Sequence, residues 1–100
     1  MPNTYLAKIS WLSEKEGGRK SIPTGEKYAP IIVMKDKCLN LNEPNWSLFV
    51  NNLEKINTLE TIAEVKYLSE LAPNNLGIGK EFKLYEGAKK VANGIIIKSL

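Results

Sequence analysis

Phe82-Lys83-Leu84-Tyr85-Glu86-Gly87-Ala88-Lys89-Lys90-Val91-Ala92-Asn93-Gly94-Ile95-Ile96 reads as a β-hairpin. Phe82 and Leu84 alternate with Lys83 and Tyr85, the period of two of a strand with one buried face. Gly87-Ala88 is the turn, since glycine reaches the positive φ that tight hairpin connections need. Val91 to Leu100 then forms a second strand, most apolar at Ile95-Ile96-Ile97, and Gly94 inside it predicts a bulge or a close backbone approach. The other end of the chain has a counterpart. From Thr4 to Leu12, Tyr5, Ala7, Ile9 and Trp11 alternate with Leu6, Lys8, Ser10 and Leu12, and the run leads into Glu16-Gly17-Gly18-Arg19-Lys20. Each glycine turn carries two adjacent cations, Arg19-Lys20 and Lys89-Lys90.

Between these ends the chain is punctuated like an all-β protein. Ser13 to Lys27 is polar, holds three glycines and Pro23, and reads as a long connection with turns. Tyr28 to Met34 reads as a strand, with Pro30 confined to its start or to an edge. Asp36-Lys37 is a tight turn and Cys38-Leu39-Asn40-Leu41 a short strand. Asn42-Glu43-Pro44-Asn45 is a strong turn signal. Trp46 to Val50 is a further strand, ended by Asn51-Asn52. Thr58 to Leu68 carries both periods: Leu59, Ile62, Ala63 and Val65 have partly helical spacing, while Thr61, Ala63, Val65 and Tyr67 alternate. Its β-patterned neighbours decide for a strand. Ala72 to Gly79 is a loop. Six or seven short strands with glycine- and proline-marked turns predict an antiparallel barrel or sandwich. A closed barrel accounts best for so apolar a last strand, which then has no exposed edge. Residues 1–100 form one domain on this reading.

Composition removes several function classes. The chain has 14 Lys plus Arg against 11 Asp plus Glu, a net charge of +3, which a solvated surface and an anionic partner explain equally well. No apolar run approaches the roughly 20 residues of a membrane-spanning helix. Met1-Pro2-Asn3-Thr4-Tyr5 has neither a basic region nor an apolar signal core, which predicts a cytoplasmic location. The single Cys38 cannot form an internal disulfide and reads as a small buried residue. With no histidine and one cysteine there is no zinc-type ligand set and no activated nucleophile, so neither a metal nor a cofactor is expected. Glu14 with Glu16, and Glu60 with Glu64, are acid pairs that solubility explains better than acid–base catalysis. The expectation is a protein that is not an enzyme.

The hairpin and the first turn resemble the third, C-terminal β-barrel domain of translation elongation factor Tu. Leu6 to Lys20 is similar to that domain's opening, a strand running into a Glu-Gly-Gly-Arg turn. Gly25, Tyr28 and Pro30 then stand where the family has a glycine, a tyrosine and a proline, with Glu26-Lys27 as an insertion. Phe82 to Ile96 resembles its final hairpin, an aromatic-initiated strand, a basic glycine turn and a Val-Gly-x-Gly-Val-Val strand. The stretch from Lys35 to Gly79 matches only in pattern. This chain has Lys20 for the family's usual histidine, Ala29 for an arginine and Ala88 for a glycine. It lacks the GTPase domain, the second barrel and any Gly-x-x-x-x-Gly-Lys-Ser/Thr phosphate loop. The resemblance implies a closed six- or seven-stranded barrel. In the family this domain contacts the T-stem backbone of aminoacyl-tRNA, the GTPase domain and the nucleotide-exchange partner.

Two kinds of partner follow. A structured RNA such as tRNA would be held through Gly17, Gly18, Arg19, Lys20, Gly87, Lys89 and Lys90, the glycines letting backbone amides approach phosphates that the cations neutralise. The plain alternative is that both turns are solvated and their glycines only supply positive φ. The second kind is a protein that recognises the third domain, this chain acting as a decoy, an immunity protein or a regulatory subunit. Trp11, Trp46, Phe49 and Phe82 sit in strand patterns and read as core. Tyr67 and Tyr85, with lysines alongside, are the aromatic residues placed to stack a base.

Overall fold

β1 (Tyr5–Trp11) buries Tyr5, Ala7, Ile9 and Trp11 and turns the alternate side chains outward, so the period-two reading holds residue by residue. β2 (Ile31–Met34), β3 (Trp46–Lys55), β4 (Glu60–Tyr67), β5 (Glu81–Glu86) and β6 (Lys89–Ser99) follow, with one 3-10 turn at Glu14–Glu16. In this computed structural model, which describes residues 3–18, 21–23, 28–40, 42–73 and 75–100, the strands close into an all-antiparallel barrel in the order β1-β4-β3-β2-β5-β6. Within 58–68, Glu60–Tyr67 is a strand, its alternation burying Thr61, Ala63, Val65 and Tyr67 between β1 and β3.

The elements depart most from the sequence reading at three places. β2 starts at Ile31 rather than Tyr28. Pro30 has no N–H, so pairing beyond it runs through acceptors alone: Leu48 donates to the Pro30 carbonyl and Val50 to that of Tyr28, each at 2.9 Å. β3 continues past Asn51-Asn52 to Lys55, with Leu53 as an extra residue between the pairs Asn52–Ala63 and Glu54–Ile62. This bulge rotates Leu53 outward, to 55% exposure. Cys38 to Asn40 is not a strand, and Leu41 lies outside the described residues. The polar groups here bond locally: the Asn40 side chain accepts from the Asn42 N–H at 3.0 Å, and its carbonyl accepts from Asn45 Nδ2 at 3.1 Å. Cys38 is exposed, contrary to its reading as buried.

The core is continuous through the barrel and includes Ile9, Leu48, Val50, Val65, Phe82, Leu84, Val91 and Ile96. Trp11 and Phe82 belong to it and Trp46 packs on its margin, but Phe49 does not. Phe49 alternates with Leu48 and Val50 and so faces outward, where the Lys66 ammonium stands 5.8 Å from its ring centre. β6 holds two bulges, at Val91 and Ile97, each unmatched in the register with β5 or β1. Gly94 lies at neither. It marks a close approach instead, by the Phe82 ring. At one end of the barrel the segment after Tyr67 crosses over with Leu76 buried, and the Tyr67 hydroxyl donates to Asn75 Oδ1 at 2.5 Å.

Candidate functional site

The other end of the barrel gathers the turns singled out in the sequence. β1 ends at Trp11, opposite Ala92 of β6, so the β5–β6 hairpin lies beside the exit of β1. A bond from the Leu12 N–H to the Val91 carbonyl, 2.9 Å, joins them. On its other side β1 pairs Ser10 with Glu60 of β4, and the Trp11 N–H donates to the Leu59 carbonyl at 2.7 Å. Three connections therefore share this end: 12–18, 56–59 and 87–88.

The first turn is a self-contained unit. Ser13 donates from both its N–H (3.3 Å) and its hydroxyl (3.1 Å) to the Glu16 carboxylate, fixing the 3-10 turn. Gly17, at φ 90°, ends it in the left-handed region that favours glycine. Gly18 is needed for a different reason: a Cβ there would stand 2.1 Å from the Leu12 carbonyl oxygen. The Gly17 N–H donates to the Glu14 carbonyl at 3.1 Å and the Gly18 N–H to that of Ser13 at 2.9 Å. These amides are engaged within the turn, so an anion here would meet side chains rather than backbone. Arg19 and Lys20 lie outside the described residues.

The hairpin turn is the two-residue kind. Glu86 pairs with Lys89, and Gly87 sits at φ 62°. No non-glycine residue among those described has positive φ, so Ala88 is on the negative side, the combination of a type II′ turn. Lys89 is exposed and Lys90 half-buried. The nearby Glu86 carboxylate accepts the Tyr28 hydroxyl, and the Tyr28 ring lies 5.9 Å from that of Trp11.

Sequence reasoning missed two arrangements at this end. The first is a buried chain of hydrogen bonds. Trp11 Nε1 donates to Thr61 Oγ1 (2.9 Å), Thr61 Oγ1 to Asn52 Oδ1 (2.7 Å), and Asn52 Nδ2 to the Pro23 carbonyl (2.9 Å). Beside it a cleft of about 640 Å³ opens, lined in part by Leu12, Ile22, Pro23, Leu53 and Leu59. The second is a hub at Glu60, whose carboxylate accepts from Asn57 Nδ2 (2.7 Å) and Ser10 (3.1 Å) and pairs with Lys8 (3.2 Å). Only the cross-strand register of β1 on β4 reveals the hub, since its members lie up to 52 residues apart in sequence order from Lys8 to Glu60.

The bonds from Asn57, Lys8 and Ser10 hold the Glu60 carboxyl below the usual 4.5 of a glutamate. A carboxylate lowered on folding stabilises the fold above its unfolded value, and that contribution disappears as pH falls through the folded one. Thermal unfolding of wild type and Glu60→Gln between pH 7 and pH 3 should therefore show the widest gap in Tm at neutral pH, closing below about 4.5. A gap constant across that range contradicts the assignment.

Among the described residues no group of histidine, cysteine or acidic side chains is placed to hold a metal ion, and no helix is long and apolar enough to cross a membrane. No model of a known protein family and no curated protein sequence matches this chain.

Proposed function

We propose that this protein is a non-catalytic binding module whose turn-bearing end docks on the phosphate backbone of a structured RNA, tRNA being the favoured ligand. The observation that carries this reading is the pairing of β1 with β6, by which the Glu14–Gly18 turn and the Gly87-Ala88 hairpin share one end of the barrel although they are separated by most of the chain. The sequence continues from Gly18 into Arg19-Lys20 and from Ala88 into Lys89-Lys90, so four cations belong to these two turns. The resemblance to the third domain of elongation factor Tu, strongest at the same two turns, supports the choice of ligand. Contact through side chains alone makes the interaction electrostatic.

If all four cations meet phosphates, affinity for tRNA should fall roughly a hundred-fold between 50 and 200 mM salt. Fluorescence anisotropy of labelled tRNA measures this, with Arg19→Glu/Lys20→Glu and Lys89→Glu/Lys90→Glu beside the wild type. Either charge reversal should abolish binding at the lower salt. Absence of wild-type binding at 50 mM, or binding that neither reversal weakens, overturns the reading.

A second reading, a protein-interaction module, has support at the opposite end of the barrel. Leu71 is 85% exposed and Ile78 72% exposed, with Leu68 and Leu100 also open to solvent. All four lie next to strand ends or connections remote from the two basic turns. Such apolar exposure is a feature of surfaces that meet another protein.

A further inference from the structure

The outer face of β5 and β6 presents an aromatic ring among cations. Phe82 and Leu84 fill the core, so Lys83 and Tyr85 point outward. Tyr85 lies opposite Ile31 of β2 on one side and Lys90 of β6 on the other. The bulge at Val91 creates the second pairing. Val91 and Ala92 are both buried, and the extra residue brings Lys90 level with Tyr85. One row further along, Lys83 faces Asn93, and its ammonium donates to the Lys37 carbonyl, which fixes its position. Lys89, opposite Glu86, falls on the other face by strand alternation, on the side of the carboxylate that accepts the Tyr28 hydroxyl.

Two lysines, Lys90 directly opposite and Lys83 two residues before, thus share the face of a half-exposed ring whose hydroxyl makes no hydrogen bond among the described residues. Their charge is complementary to phosphate, and an aromatic ring interleaved with cations is the arrangement that binds unpaired nucleotides, by stacking the base and neutralising the backbone. We infer that this face takes a single-stranded segment of nucleic acid, one base stacking on Tyr85 and a flanking phosphate meeting Lys90. The inference rests on the proposed docking of a nucleic-acid backbone at this end, because Lys90 belongs to both surfaces. It adds a preference for an unpaired position next to the docked backbone.

The test is a titration of short single strands, in RNA and in DNA form, each carrying a fluorescent adenine analogue, alongside labelled tRNA. Wild type, Tyr85→Phe, Tyr85→Leu and Lys89→Glu/Lys90→Glu are compared, with circular dichroism confirming that each remains folded. Leucine keeps the apolar cover and removes the π-face; phenylalanine keeps both. Wild type should quench the analogue. Tyr85→Leu should abolish quenching and weaken single-strand binding roughly five- to a hundred-fold, while Tyr85→Phe leaves both unchanged. Quenching in either polymer that depends on Tyr85 supports the site, and the tighter polymer names its natural strand. Equal quenching and affinity in wild type and Tyr85→Leu overturn the stacking site. Salt-sensitive tRNA binding lost in Lys89→Glu/Lys90→Glu would then leave the backbone reading intact. Quenching dependent on Tyr85 without tRNA binding upholds the stacking site and overturns the structured-RNA reading.

Discussion

Replacing Gly94 by alanine should destabilise this protein by about 2 kcal/mol, although alanine is ordinarily the better strand residue. Two effects oppose each other. Alanine restricts the unfolded chain and suits an extended backbone, a gain of roughly 0.5–1 kcal/mol. Against it stands the Phe82 ring: a Cβ on Gly94 would lie 2.4 Å from Cζ and 2.5 Å from Cε2, with Ile9 Cδ1 at 3.0 Å. Ordinary contacts begin near 3.4 Å, so the ring would have to move by about an ångström. It cannot do so freely, because Phe82 is only 1% exposed and packs deep in the core. Overpacking of this kind costs roughly 1–3 kcal/mol and occasionally more, so the clash wins. For a domain of this size the net loss corresponds to a fall in Tm of roughly 10 °C. Gly94→Val should be worse still. The decisive measurement is the double mutant: Phe82→Leu alone destabilises, yet Gly94→Ala should cost markedly less in that background, a coupling of about 1 kcal/mol or more. Additive effects, or a neutral Gly94→Ala, would show that the glycine is not there to admit the ring.

How much of this architecture could be read beforehand follows from the range of the forces involved. Alternation is local, and it correctly oriented Tyr5 to Trp11 and Phe82 to Tyr85, because each side chain's face is set by its immediate neighbours along the strand. Glycine punctuation is local too, so the Gly87-Ala88 hairpin was legible. Strand ends were not. Asn51-Asn52 looks like a stop, yet β3 runs through it, since Asn52 finds partners in Thr61 and Pro23, 9 and 29 residues away. Cys38 to Asn40 failed in the opposite sense. A strand there would need a neighbour, and the turn chemistry of Asn40 to Asn45 satisfies these groups without one.

The candidate site was legible as residue types and illegible as an arrangement. Adjacent cations after glycine are visible in any reading of 16–20 and 86–90. That the two turns share one end depends on β1 pairing with β6, a contact between the first and last strands that no local pattern encodes. Of the glycine amides given a role, those of Gly17 and Gly18 donate within the first turn and do not face outward as the sequence reading had them. Of the two tyrosines with neighbouring lysines, Tyr67 is buried, and that burial pushes its phenol above the usual 10.0. Tyr85 alone keeps its ring outward. The difference is one of strand phase: Tyr67 continues the inward series of Ala63 and Val65, and Tyr85 is out of step with Phe82 and Leu84.

Removal of one hydroxyl at Thr61 should be nearly as damaging as the overpacked glycine. Thr61 is the only polar side chain among the described residues that is fully buried, at 2% exposure, and it serves as acceptor for Trp11 and donor to Asn52. No buried side-chain nitrogen or oxygen among these residues lacks a hydrogen bond, so the chain from Trp11 to Pro23 is completely satisfied. Valine keeps the volume and the β-branch of threonine but leaves the indole N–H with nothing to bind. An unsatisfied buried donor costs roughly 1–3 kcal/mol, well above the 0.5–1.5 kcal/mol net value of an average hydrogen bond. Asn52 is half-exposed and recovers part of its loss from water, which Trp11 cannot do. Thr61→Val should therefore lose about 2 kcal/mol, and Thr61→Ser, which retains both bonds, less than about 1. The mechanism has its own signature: the Trp11 indole proton should exchange with solvent faster and shift in the nitrogen–proton correlation spectrum of Thr61→Val, while that of Trp46 stays in place. If valine proves as stable as wild type, the hydrogen bonds have been exchanged for packing at no cost. The polar chain would then serve to hold Pro23 beside the cleft rather than to stabilise the barrel, and the loss would appear in binding at that end instead of in Tm.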